Sequence, residues 1–124
     1  MEDEEGAERI TVRKEILEFH AEFCKTFSNP KRLEILDLLK AGEITVGAIT
    51  EKIGVSKANV SQHLTIMRMM RILKTRRDGT KIYYRIANEK LTQACSLMQD
   101  ALAQLMEGVP VVRKQGTVNI KDGR

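Results

Sequence analysis

Apolar positions recur every three or four residues along most of the chain and every second residue along one short stretch. From Glu8 to Phe27, Val12, Ile16, Phe19, Phe23 and Phe27 form one stripe, which Ile10, Leu17 and Cys24 widen. That spacing predicts an amphipathic helix. Ser28-Asn29-Pro30 ends it and opens another. Asn29 suits an N-cap and Pro30 the first helical position, where a missing N–H costs nothing. Leu33, Ile35, Leu36, Leu38 and Leu39 carry this second helix over 30–41, to Ala41-Gly42. Thr45 caps a short third helix, Val46 to Ile53, closed by Gly54-Val55, and Ser56 caps a fourth that runs to Arg68. Two short helices joined by a tight glycine-containing turn make a helix-turn-helix. The period then changes to two between Ile72 and Arg85, with Asp78-Gly79 as the central pair of a hairpin turn. A last helix runs from an Asn88 cap to about Glu107, where Leu91, Cys95, Met98, Leu102 and Leu105 trace a helix-packing seam. Residues 1–7 are acidic and predict disorder, and residues 108–124 lack periodicity and predict a loose tail. The expectation is one mainly α domain over 8–107 with a small β-hairpin, in the order helix, helix, helix-turn-helix, hairpin, helix.

Composition adds a partner to this picture. Aromatic residues make up 4% of the 124 residues and Trp is absent, so Leu, Ile, Val and Met must fill a small core. The stripes on 8–27 and 88–107 are longer than that core can cover. They predict a homodimer joined through the first and last helices; the alternative is that they pack on each other within one chain. The net charge of +4 is unevenly placed, with five acids among the first eight residues. From Lys57 to Arg85 there are eight Lys or Arg and one acid, Asp78, an electrostatic footprint for phosphates. No long apolar run or basic amphipathic helix suggests a membrane, and no signal peptide opens the chain, so a cytoplasmic protein is expected. An enzyme is not expected, since there is no phosphate-binding glycine loop, no nucleophile beside a base and no paired catalytic carboxylates.

The fourth helix carries the candidate chemistry. Val60, Leu64 and Met67 bury one side, which leaves Ala58, Asn59, Ser61, Gln62 and Thr65 projecting from the other. Short amide and hydroxyl side chains can read base edges, whereas a solvated face normally carries Lys and Glu. Asn59, Ser61 and Gln62 are therefore the base-edge candidates, and Lys57, Thr65 and Arg68 the phosphate candidates. Arg76, Arg77 and Lys81 flank the hairpin tip, within reach of a minor groove or its backbone. His63 lies beside the buried edge, where packing or a phosphate contact is expected. Lys31 and Arg32, at a helix start, are weaker phosphate candidates. A protein-interaction helix-turn-helix is the competing class, but it predicts an apolar or acidic helix face and no basic hairpin.

At residue level the chain resembles the arsenic-repressor (ArsR/SmtB) family of winged-helix transcription regulators. The matching segments are Phe27 to Leu36, Glu43 to Ile49, the Ser56–Leu64 helix and Asp78 to Tyr84. The resemblance implies a homodimeric repressor on a double-stranded operator, an inverted repeat of two half-sites, released by metal binding or thiol oxidation. The family's thiolate metal site would fall at Thr45 and Gly47, and its carboxylate–histidine site at Asn88, Lys90, Ala101 and Gln104. None of these suits zinc, so no resident cofactor is expected. Two input chemistries stay open beside plain packing of the cysteines. Cys24 and Cys95, on the two helices expected at the dimer interface, can form a thiol-oxidation or reactive-sulfur sensor. His20 and Cys24, one helical turn apart, can join Cys95 in a site for a soft metal ion or arsenite.

Overall fold

The computed structural model describes residues 4–108 and the backbone of 110–113 and 116–119, with the side chains of Ile10 and Thr11 left aside. The chain divides into two compact units, Met1–Ala87 and Asn88–Arg124. In the first, α1 (Glu4–Thr26) is followed by α2 (Pro30–Leu38), a 3-10 turn (Leu39–Ala41), β1 (Ile44–Thr45), α3 (Val46–Ile53), α4 (Lys57–Met69), β2 (Leu73–Asp78) and β3 (Lys81–Ile86). The second holds α5 (Glu89–Leu105) and an antiparallel pair, β4 (Pro110–Arg113) and β5 (Gly116–Asn119).

The helix starts follow from capping. Asn29 Oδ1 accepts from the backbone N–H of Lys31 at 2.8 Å and of Arg32 at 3.3 Å, and Pro30 follows it directly. Thr45 Oγ1 accepts from Ala48 N, Ser56 Oγ from Asn59 N and Asn88 Oδ1 from Lys90 N. Each satisfies a donor that the first helical turn leaves open. Gly54 closes α3 at φ +78°, a left-handed conformation that costs a non-glycine residue about 1–2 kcal/mol. The chain thereby turns sharply enough for α3 and α4 to form the helix-turn-helix. Ile35, Leu36, Leu39, Ile49, Val60, Leu64, Met67, Ile72 and Leu73 are its buried apolar core, drawn from α2, the 3-10 turn, α3, α4 and the base of the hairpin.

Four local expectations need correction. α1 begins at Glu4 and not at Glu8, and the Glu5–Arg9 pair at 3.6 Å lies one turn apart within its start; the expectation of disorder for residues 1–3 falls outside the described residues. Ile44 and Thr45 form a strand that pairs with Tyr84 and Tyr83, giving a three-stranded sheet in the order β1-β3-β2. The hairpin register pairs Asp78 with Lys81, so the turn residues are Gly79 and Thr80 rather than Asp78 and Gly79. Gly79 has φ +63° and Thr80 a non-positive φ, the pattern of a turn whose first central residue is glycine. The expected loose tail contains the β4–β5 ladder, Val111 opposite Val118 and Val112 opposite Thr117. β-branched residues on both strands favour that pairing. The rest of the tail lies outside the described residues.

Candidate nucleic-acid interface

Burial of Val60, Leu64 and Met67 fixes the rotation of α4 about its axis. Ala58, Asn59, Gln62 and Thr65 are consequently exposed, and Ser61 is half-buried on the flank that faces the hairpin. A concavity of about 470 Å³ opens there, lined by Lys57 and Ser61 of α4, the Thr45–Gly47 start of α3, and Thr80, Lys81, Ile82 and Tyr84 of the hairpin. It places two cations, Lys57 and Lys81, on either side of a hydroxyl-bearing helix flank. Asn59 and Gln62, exposed elsewhere on α4, carry amide donors and acceptors suited to a base edge. Thr65 differs from expectation in one respect. Its hydroxyl donates to the Ser61 carbonyl at 2.8 Å, so its hydrogen is committed within the helix while the oxygen remains an acceptor.

The hairpin separates its two arginines. Arg77 pairs across the ladder with Ile82, which lines the concavity, so Arg77 lies on the sheet face that looks toward α4. Arg76 lies on the opposite face. Its Nη2 and Nε donate to the two Glu43 carboxylate oxygens at 2.6, 3.1 and 3.3 Å, and its guanidinium sits 4.5 Å from the centre of the Tyr83 ring. The hydrogen bond from Arg76 holds the Glu43 carboxyl below its ordinary pKa. Arg76 is thus a strut between the hairpin and the segment leading into α3. Neither Glu43 nor Tyr83 was among the sequence candidates. Glu43 and Arg76 stand 33 positions apart, and only the period-two alternation separating Arg76 from Arg77 hinted at the strut.

Arg32 and His63 are likewise engaged. Arg32 Nε donates to His63 Nδ1 at 3.2 Å and its Nη1 donates to the Thr26 carbonyl at 3.3 Å. One guanidinium therefore links the end of α1 and the start of α2 to the middle of α4. Burial, and then the charge of Arg32, depress the His63 pKa from its ordinary value. Lys31 forms a 3.1 Å surface ion pair with Glu34.

Comparison with known proteins places this geometry. Residues 29–75 match the family described as "Bacterial regulatory protein, arsR family". The nodulation protein NolR of Rhizobium meliloti is 36% identical over 105 residues, covering 82% of this chain and 86% of NolR. The chain belongs to the arsR family. The transcriptional repressor SdpR of Bacillus subtilis is 38% identical over 74 residues, 60% of this chain and 82% of SdpR. In three dimensions the homodimeric winged helix-turn-helix DNA-binding domain of Mb0332 from Mycobacterium bovis superposes with a TM-score of 0.70 at 34% identity, covering 77% of this chain and 88% of that domain. This arsR-family chain is accordingly a winged helix-turn-helix regulatory protein, not an enzyme, with the β2–β3 hairpin as its wing.

The input side is more sparsely equipped. Cys24 is an exposed thiol on α1 and Cys95 a half-buried one on α5. His20 and Cys24 lie one turn apart on α1, while Cys95 belongs to the other compact unit. Among the described residues no three His, Cys, Asp or Glu side chains come together to hold a metal ion. Among the described residues no helix is long and apolar enough to cross a membrane.

Proposed function

We propose that this arsR-family protein is a homodimeric transcriptional repressor that reads an operator of two half-sites through α4 and leaves it when an inducing signal arrives. One observation carries the reading. The solvent face of a capped, core-anchored helix displays Asn59, Gln62 and Thr65, flanked by Lys57, Lys81 and Arg77, where a surface helix would ordinarily display Lys and Glu. The relatives' descriptions as a transcriptional repressor and a homodimeric DNA-binding domain agree with it. Asn59, Ser61 and Gln62 address base edges; Lys57, Thr65, Arg68, Arg77 and Lys81 address phosphates; Arg76 acts by holding the wing. Two copies would cover the apolar residues that α1 and α5 leave exposed, among them Ile16, Phe19, Leu97 and Leu105 at 61–78% exposure. The test uses an operator duplex selected from a random-sequence pool. Gln62→Ala is expected to weaken operator binding by about 1–3 kcal/mol while leaving random-sequence binding nearly unchanged. Equal losses on both would sink the base-reading assignment.

For the inducing signal, the exposure of the Cys24 thiol favours oxidation or sulfur transfer over plain packing. In a dimer, Cys24 and Cys95 thiols would lose two electrons and two protons to a peroxide or polysulfide oxidant, forming a disulfide that alters the helix packing which spaces the two α4 helices. Operator release by such an oxidant should disappear in Cys24→Ser and Cys95→Ser. Unchanged release in both variants would remove the cysteines from the mechanism.

A further inference from the structure

The concavity beside Lys57 and Lys81 is not the only cationic recess in the winged-helix unit. At the other end of α4, Arg68, Arg71, Lys74 and Arg85 line a groove of about 380 Å³ together with Leu73 and Thr75. Among the described residues none of these four cations forms an ion pair. The acid in electrostatic reach of Arg85, Glu43, already has its carboxylate oxygens engaged by Arg76.

One feature of this groove works against local stability. Lys74 and Arg85 are direct cross-strand partners, and like charges placed opposite each other destabilise a ladder. Arg71 holds φ +61°, the one positive φ at a non-glycine position among the described residues, as the left-handed residue that ends α4: its own N–H donates to the Arg68 carbonyl and that of Ile72 to the Met67 carbonyl, both at 2.9 Å, at a cost of about 1–2 kcal/mol for the side chain there. The like-charge pair, with no compensating ion pair among the described residues, is the feature that an anionic ligand would relieve. That ligand must be anionic and must offer several acceptors, because three of the four cations are guanidinium forks suited to paired oxygens.

The position of the groove selects among anions. Arg68 follows Ser61 by seven residues and Lys57 by eleven, intervals that return a helix to nearly the same side. Arg68 therefore lies on the same flank of α4 as Lys57 and Ser61, about 16 Å beyond Lys57 along the axis at 1.5 Å per residue. We infer that the Arg68–Arg71–Lys74–Arg85 groove is a second phosphate-binding site, which takes the sugar–phosphate backbone of the duplex beyond the bases read by α4. Operator affinity then depends on DNA flanking each half-site, without regard to its sequence. The inference rests on the DNA-binding reading of α4 and extends it to three cations, Arg71, Lys74 and Arg85, that sequence patterning did not single out.

The experiment compares wild-type protein with Lys74→Gln/Arg85→Gln on the selected operator, as the minimal duplex and with about 10 bp of random sequence, one helical turn, added at each end. Lys14→Gln/Lys25→Gln on α1 controls for the reduced net charge. Wild type and the control variant should bind the longer duplex at least tenfold more tightly than the minimal one. The groove variant should bind both with nearly the same affinity. Its log–log salt slope on the longer duplex should be smaller by about 2, one for each phosphate no longer neutralised. Circular dichroism and the thermal midpoint establish that the variant is folded, and Lys74→Arg/Arg85→Lys should retain the flank dependence. If the groove variant gains from flanking DNA as wild type does, the site does not hold duplex phosphates and is left to an acidic protein partner. If wild type binds neither duplex, the DNA-binding reading itself fails, which is a separate outcome.

Discussion

Arg76 and Arg77 are neighbours in sequence, yet the sheet gives them different work. Arg77 faces the side occupied by α4, while Arg76 is clamped by Glu43 and stacked on Tyr83. Arg77→Gln is expected to lower the salt slope of DNA binding by about 1. Arg76→Gln should change that slope much less, whereas Glu43→Gln should release Arg76 and raise it. A fall in slope for Arg76→Gln as large as for Arg77→Gln would show that Arg76 touches phosphate directly. His63 supplies a second residue-scale prediction, this time of stability against pH. Burial and the Arg32 charge lower its folded-state pKa below the ordinary 6.5. The unfolded chain therefore binds the proton first as pH falls, and stability drops from about pH 6.5 down to the folded pKa. Protonation of Nδ1 also removes the acceptor that Arg32 uses. Between pH 7.5 and pH 5.5 the thermal midpoint of wild type should fall further than that of His63→Asn; equal falls would remove His63 from the pH dependence. The exposed positions of Asn59 and Gln62 were legible in the sequence because helical periodicity is local. The partners of Arg76, Arg32 and His63 were not, since each lies on an element that periodicity does not connect to its own.

At the scale of elements, capping decides where the helices begin, and the sequence displayed those caps. Asn29, Thr45, Ser56 and Asn88 each occupy the position that patterning assigned them. What patterning missed were elements too short or too remote to show a period. β1 has two residues and exists by pairing with Tyr83 and Tyr84 on β3, nearly forty positions later. The wing turn shifted by one residue because Asp78-Gly79 and Gly79-Thr80 both satisfy the composition of a tight turn, and the ladder chose the second. The β4–β5 pair shows no period in the sequence because each strand has only four residues and opens on Pro110 or Gly116, residue types that strands disfavour. Asn29 matters for more than the start of α2, because α2 positions Arg32 against His63 of the recognition helix. Asn29→Ala should lower unfolding free energy by about 0.5–2 kcal/mol in urea titration. It should also weaken operator binding although Asn29 is far from the α4 surface in sequence. Full operator affinity in a destabilised Asn29→Ala protein would mean that the Arg32 link does not orient α4.

The whole molecule is explained by a mismatch between its core and its surface. Among the described residues, a compact set of nine buried apolar side chains holds the winged helix together. Outside that core, α1 and the turn after it carry a Phe19–Phe23–Phe27 row with ring centres 6.2 and 5.3 Å apart, and α5 exposes Leu97, Met98, Leu102 and Leu105. Apolar faces of this extent on two separate helices mark an interaction surface, which a second copy is expected to cover. Phe19→Asp is expected to shift the protein from dimer to monomer in analytical ultracentrifugation and to cost operator affinity, because each half-site would then be bound alone. The claim that joins core, interface and wing is that two α4 helices enter successive major grooves. Hydroxyl-radical footprinting of the selected operator tests it most directly. Two protected segments related by a two-fold axis, with centres about 10 bp apart or a multiple of that, are the predicted result. A single protected segment, or uniform weak protection along the duplex, would contradict it.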